Sequence, residues 1–191
     1  MKVGVLALQG DFEAHAAALR RARPRVEIVE VRQSHHLEGL AGLIIPGGES
    51  TTMLKLMEYY GLFESLRAFG ARKPVFGTCA GAILLATEVL NPAQASLGLV
   101  DLTVERNAYG RQLDSRVVRL STHELGGDAE LEAVLIRAPI IRRVGAGGRV
   151  LVRYQNDPVL VEIGGHLVAT FHPELSPDPR VHERFLSRLE P

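Results

Sequence analysis

Apolar residues reach this chain in short runs, and the segments between the first few have helical spacing. Val3 to Leu8 predicts a first strand. Asp11 to Arg21 follows, acidic early and basic late, the charge order that suits a helix dipole. Val26 to Val31 and Leu43-Ile44-Ile45 predict the next strands. Thr51 to Tyr60 sets Met53, Leu56, Met57 and Tyr60 on one helical face, a stripe that reads as core packing. Val75-Phe76-Gly77 predicts a buried strand, and Ala80 to Ala86 the helix after it. Alternation of this kind points to α/β architecture, with a mostly parallel sheet flanked by helices.

The rhythm changes in the middle. From Leu102 to Phe171 the runs are short and extended: Leu102 to Val104, Val117 to Leu120, Val134 to Ile136, Val150 to Val152, Val159 to Ile163 and Leu167 to Phe171. Gly126-Gly127, Gly145 to Gly148 and Gly164-Gly165 punctuate them, and the last pair suits a hairpin turn. A final helix is expected after Asp178, with Pro179 in its first turn and Val181, Phe185 and Leu189 on its buried face. No repeat or linker interrupts the pattern, so one domain is expected over residues 1–191.

Composition narrows the functional classes. The 22 basic and 22 acidic residues cancel, leaving no global field to attract a nucleic acid. Arg20, Arg21, Arg23 and Arg25 read as a solvated helix end. No apolar run has membrane-spanning length and no signal-peptide pattern opens the chain, so a cytoplasmic location is expected. A single cysteine, Cys79, excludes an intrachain disulfide and a multi-cysteine metal site. Lone cysteines are commonly small buried hydrophobes, so reactivity has to be argued from the neighbours.

Those neighbours are Gly77-Thr78-Cys79-Ala80-Gly81, between a predicted strand and a predicted helix. A nucleophile on such a sharp turn is lifted out of the sheet, sits at a helix N-terminus that favours thiolate, and has the Ala80 N–H aimed where an oxyanion would form. Just after a late strand, Thr170-Phe171-His172-Pro173-Glu174 supplies an imidazole to take the thiol proton and a carboxylate to orient it. On its own, His-Pro-Glu reads better as a loop histidine beside a surface acid. At the carboxyl end of a strand, opposite a cysteine elbow, it reads as chemistry. Gly47-Gly48, directly after Leu43-Ile44-Ile45-Pro46, brings backbone N–H groups close to a ligand and suits the other half of an oxyanion hole. The plain alternatives are a tight turn there and a helix cap at Ser50 or Thr51. His15, His35, His36, His123, His166 and His182 lack metal-ligand spacing and read as structural or surface residues.

Gly77-Thr78-Cys79-Ala80-Gly81 with His172-Pro173-Glu174 resembles the class I, or triad, glutamine amidotransferases. Leu8-Gln9-Gly10-Asp11, Gly42 to Thr51, Val104 to Gln112 and Ile136-Arg137-Ala138-Pro139 are similar to the glutaminase subunits of pyridoxal 5′-phosphate synthase. The resemblance runs from first strand to last helix and is weakest at Arg20 to Val26 and Ile140 to Arg149. It implies a flavodoxin-like three-layer α/β sandwich with extra short antiparallel strands. It also implies hydrolysis of L-glutamine to L-glutamate and ammonia, and a partner synthase subunit that builds the vitamin B6 coenzyme. Cys79 would be the nucleophile, with His172 and Glu174 completing the triad. Gly47, Gly48, Glu49, Arg106, Ile136 and Arg137 would hold glutamine, a guanidinium suiting its carboxylate and an acid its ammonium. No cofactor or metal is implied for this chain. The rival readings are an amidotransferase feeding another pathway and a non-catalytic binding module on the same fold. The Pro46-to-Thr51 and Val104-to-Gln112 motifs weigh against the first, and an intact triad against the second.

Overall fold

The computed structural model describes residues 1–107, 115–126 and 130–189. Ala108 to Gln112 of the arginine-containing motif, and Gly127, lie outside them. Five strands form the parallel part of a central sheet: β1 (Lys2–Leu6), β2 (Glu27–Val31), β3 (Gly42–Ile45), β4 (Val75–Thr78) and β12 (His166–Ala169). They lie in the order β2-β1-β3-β4-β12, and β11 (Asp157–Ile163) and β10 (Arg149–Tyr154) continue the sheet antiparallel. β3 and β4 are buried along their whole length, as parallel strands covered on both faces must be.

Alternate side chains of these strands enter two cores. Val5, Ile44, Phe76 and Leu167 pack beneath α1 (Phe12–Ala22), α5 (Arg180–Ser187) and the hairpin β7 (Ser115–Leu120) to β8 (Leu131–Ile136). Leu6, Leu43, Ile45 and Val168 pack on the other side with α2 (Ser50–Tyr59), α3 (Phe63–Gly70) and α4 (Ala80–Leu85). A small second sheet, β5 (Ala86–Leu90), β6 (Val100–Glu105) and β9 (Ile140–Val144), joins that layer. The result is the flavodoxin-like three-layer sandwich with short antiparallel additions. Among the described residues no helix is long and apolar enough to cross a membrane.

Several elements depart from the sequence pattern. The α2 stripe is half right: Met53 and Met57 are fully buried, but Tyr60 is 53% exposed and Leu54 takes the inner position instead. The helix expected from Ala80 to Ala86 ends at Leu85, one residue earlier, and the chain then turns extended as β5, which pairs with β6 and is not among the predicted elements. No glycine or proline marks that change, and periodicity alone does not separate two buried elements in one apolar run. α3 and β9 have no counterpart in the predicted elements. On α5, Leu186 is buried beside Val181 and Phe185 while Leu189 is only partly covered. Gly164-Gly165 does turn the β11–β12 hairpin, with φ of 57° and 89° that glycine adopts at no steric cost.

α5 is tied to β11 by Glu162, whose carboxylate pairs with Arg184 at 2.5 Å and with Arg188. That anchor holds His182 against His15 of α1, both fully buried around Phe76 with ring centroids 5.8 and 6.1 Å from it. Burial, reinforced by His182 and His172, holds His15 well below the ordinary histidine range. Burial, with Arg21 nearby, pushes His182 down to about 3. At His182 the unfolded chain therefore binds a proton that the folded one refuses between about 6.5 and 3, and His15 acts in the same direction, so stability present above about pH 6.5 is lost as pH falls below it. Unfolding free energy from urea titrations should drop below about pH 6.5 by up to about 1.4 kcal/mol per pH unit for each buried histidine. His182→Phe, which keeps the ring packing, should lessen that drop. An equally steep acid loss in the variant would refute the assignment.

Candidate active site

Four parallel strands deliver the chemistry at their carboxyl ends, beside the point where strand order reverses between β1 and β3. Gln9 and Gly10 follow β1, Gly47 and Gly48 follow β3, Cys79 follows β4, and His172 follows β12. Cys79 holds φ of 47° and ψ of −103°, a strained conformation that turns the chain at once from strand into helix. The turn is tight enough that a Cβ on Gly77 would meet Gly81 O at 2.6 Å, and one on Gly81 would meet Ile45 O at 2.1 Å. Backbone cannot give way as a flexible side chain can, so both positions need glycine. Cys79 N donates to Ala169 O at 2.9 Å, pinning the elbow to β12.

The same strand carries His172 to the sulfur. His172 N donates to Val134 O at 2.8 Å, so β8 fixes the residue's backbone. The chain then enters a short 3₁₀ turn, Pro173–Leu175, whose geometry sends the Glu174 carboxylate back under the ring. His172 Nδ1 lies 2.7 Å from Glu174 Oε1, and both side chains are almost wholly buried. Burial alone would disfavour a charged imidazole. Hydrogen bonding and charge from the Cys79 sulfur and the Glu174 carboxylate outweigh it and push His172 up to about 10. The imidazole is thus equipped to accept a proton from a neighbouring thiol, and a sulfur relieved of its proton is the nucleophilic form. A Cβ on Gly47 would come within 2.4 Å of His172 Cε1 and 3.3 Å of Cys79 Cβ, so this glycine's backbone abuts both groups.

Around them is a cavity of about 320 Å³. Cys79, Ala80, His172, Gly48, Glu49, Arg106, Ile136 and Arg137 all line it, whereas Glu174 is buried behind His172. The thiol donates to Ile136 O at 3.9 Å, and Arg137 has a positive φ of 43°, turning the chain at the cavity wall. Glu49, rather than Ser50 or Thr51, caps α2, accepting from Thr51 N at 3.1 Å and Thr52 N at 2.7 Å. Slight burial opposes its charge, but the Thr52 hydroxyl and these two amides hold its carboxyl down at about 2. Arg106 reaches across from the end of β6 to Thr51 Oγ1 at 3.1 Å and Glu49 Oε1 at 3.4 Å. Acid and guanidinium are thereby fixed side by side at one end of the cavity.

Some wall residues escaped the sequence reading. Asp11 lines the cavity and brings an exposed carboxylate within 4.8 Å of the His172 and Glu174 donor atoms. Asn107 and Pro139 complete its rim. His15, read as structural or surface, lies beneath the triad with Nε2 3.3 Å from Glu174 Oε2. Its only signal in the sequence was helical phase, which puts it on the same face as Ala18 and Leu19.

Known proteins share this sequence and fold. A pyridoxal 5′-phosphate synthase subunit PdxT from Solibacter usitatus is 60% identical over 98% of this chain and 99% of its own length. One from a strain of Thermus thermophilus is 51% identical over 96% and 95% of the two chains. A crystal structure of a glutamine amidotransferase, 48% identical, superposes with a TM-score of 0.88 over 98% of each chain. A chain of the PurLQS structure from Thermotoga maritima, 15% identical, shares the fold at a TM-score of 0.68 over 99% of each chain. With residues 5–191 matched by that family's pattern, the chain belongs to the SNO glutamine amidotransferase family.

Proposed function

We propose that this chain is the glutaminase subunit of a pyridoxal 5′-phosphate synthase, acting in the cytoplasm as one amidotransferase domain over residues 1–191. The observation that carries the reading is the buried His172, engaged by the Cys79 sulfur on one side and by Glu174 at 2.7 Å on the other, at the edge of an open cavity. The two PdxT relatives favour vitamin B6 synthesis over other amidotransferase pathways.

In this reading His172 takes the Cys79 proton and the thiolate attacks the side-chain amide carbon of glutamine. Backbone N–H groups of Ala80 and of the Gly47-Gly48 segment stabilise the oxyanion. The imidazolium gives its proton to the departing nitrogen, which leaves as ammonia, and a glutamyl thioester remains on Cys79. His172 then activates water, whose attack releases glutamate and restores the thiol. Glu49 and Arg106 grip the charged backbone groups of glutamine, with Ile136 and Arg137 closing the opposite wall. The ammonia passes to the synthase subunit.

Cys79→Ala should abolish glutamate release by the assembled complex while leaving assembly intact, because Cys79 is the chain's single cysteine. Substantial glutamate production by that variant would overturn the reading. Arg106→Ala should raise KM for glutamine about ten- to a hundredfold, the loss of a charge-assisted contact worth about 1.5–3 kcal/mol. Unchanged kinetics would remove Arg106 from the binding site.

The isolated chain should be a poor glutaminase. Gly10, Gly47 and Gly48 stack so closely that a Cβ on Gly10 would lie 1.8 Å from Gly47 O, and one on Gly48 2.4 Å from Gln9 Oε1. Gln9 Oε1 also accepts from Glu49 N at 2.9 Å. A peptide between two glycines can turn over at little steric cost, so a synthase docked on the Gln9-Gly10 face can set an oxyanion N–H in place. Such a donor is worth about 2.7–4 kcal/mol, so adding the synthase should raise glutamate release by roughly a hundredfold or more at saturating glutamine. Equal rates with and without it would refute partner activation.

A further inference from the structure

Behind the Cys79, His172 and Glu174 group lies a second line of polar side chains that the reaction above does not use. Glu174 Oε1 is taken by His172, leaving Oε2 buried without a hydrogen-bond partner among the described residues. His15 Nε2 is 3.3 Å from that oxygen and 3.0 Å from Thr78 Oγ1. His15 Nδ1 is 3.0 Å from His182 Nε2, and His182 Nδ1 is buried without a partner among the described residues. His15 and His182 are both fully buried.

Only one arrangement of protons serves this line well. If His15 carried its proton on Nδ1, it would donate to His182, leaving the His182 Nδ1–H without an acceptor and Glu174 Oε2 without a donor. Two buried groups would be orphaned, one of them a charged oxygen. If the proton is on Nε2, it is shared between Thr78 Oγ1 and Glu174 Oε2, and His15 Nδ1 accepts from the His182 Nε2–H. The remaining orphan is then a single ring-nitrogen lone pair, which costs less than an unmet N–H and an unmet carboxylate oxygen. Burial keeps both rings neutral, so the donor brings no second positive charge to compete with His172.

We infer that His15 is a positioning residue of the triad, donating its Nε2–H to the Glu174 oxygen that His172 leaves free, with its tautomer set by His182. The inference rests on the glutaminase reading. Its function is to fix the rotamer of Glu174 and to keep it an acceptor when positive charge develops on His172. At 3.3 Å the contact is long for a charge-assisted bond, as such bonds often are before substrate binds. The other groups facing Glu174 leave this role vacant. Arg21 of α1 donates to the backbone carbonyls of Glu174 and Ser176, Asp11 before that helix is itself an acceptor, and Cys79 lies beyond His172. β8 contributes the Val134 carbonyl, which holds His172 N.

Glutamate release by the chain assembled with its synthase subunit, followed between about pH 5 and pH 9, tests this. His15→Leu should lower kcat about ten- to a hundredfold, as loss of an outer hydrogen-bond partner does at other tuned sites, with KM for glutamine little changed. The acid limb of kcat/KM should move to higher pH, because a carboxylate deprived of a donor takes up a proton more readily. His15→Gln, whose amide N–H reaches a similar distance, should recover most of the rate and return the limb. His15→Asn, polar but too short, should behave like His15→Leu, and decides the matter if the leucine variant fails to fold. Wild-type kcat and acid limb in His15→Leu or His15→Asn would overturn the inference, as would equal losses in His15→Gln and His15→Asn. An inactive wild-type complex would instead overturn the glutaminase reading, and this inference with it.

Discussion

The structure depends on a close approach of backbone to backbone at the Cys79 elbow. For the sulfur to stand clear of the sheet, the chain must leave β4 and enter α4 within one residue, and it does so at φ of 47° on a non-glycine residue. Strain of this order is about 1–3 kcal/mol and persists only where the surroundings over-determine it. Here Gly81 packs on the Ile45 carbonyl, Gly77 on the Gly81 carbonyl, and Cys79 N is held by Ala169 O. Three strands and one helix thus share the task of holding one sulfur. The complete burial of β3, β4 and α4 supplies the rigidity that this requires.

Given that platform, the electrostatics follow from burial. A nearly enclosed imidazole would shed its proton were the sulfur and the Glu174 carboxylate not against it. Their presence makes His172 a reservoir for the proton that a thiol must lose. The same burial acts in the opposite sense deeper in the core, where full enclosure, with His172 and His182 adding to it at His15, outweighs the Glu174 carboxylate 3.3 Å from His15 and both His15 and His182 stay neutral. Two adjacent groups of histidines are therefore driven to opposite charge states by the same low-polarity interior, according to which partners each can reach.

The secondary sheets act as walls. β6 ends at the cavity and hands over Arg106, which the Thr51 hydroxyl and Glu49 carboxylate orient. The β7–β8 hairpin covers the face that carries α1 and α5, and at its end delivers Ile136 to the sulfur and Arg137 to the cavity. These pieces also fill the two cores, with Leu102, Val104 and Ile141 in one and Leu120, Leu131 and Leu135 in the other.

Local order and chemistry were largely legible in the sequence. Alternating runs, the Gly-x-Cys-x-Gly elbow, His172-Pro173-Glu174 and Gly47-Gly48 each obey rules that operate over a few residues: steric freedom, side-chain period, reach of one hydrogen bond. The strand β5 that follows α4 was not legible, because no glycine or proline marks the change from helix, and only pairing with β6 decides where the strand begins. Glu49 as the α2 cap gave way to Ser50 and Thr51 in the sequence reading because all three stand at the start of the helix, and only the backbone angles choose among them. His15 and His182 are 167 residues apart, and helical phase sets each on a buried face without showing that the two meet. Their burial beside Glu174 was decided by the crossing of α1 and α5 beneath β4, since contact across the layers of a sandwich depends on packing that no short-range pattern encodes.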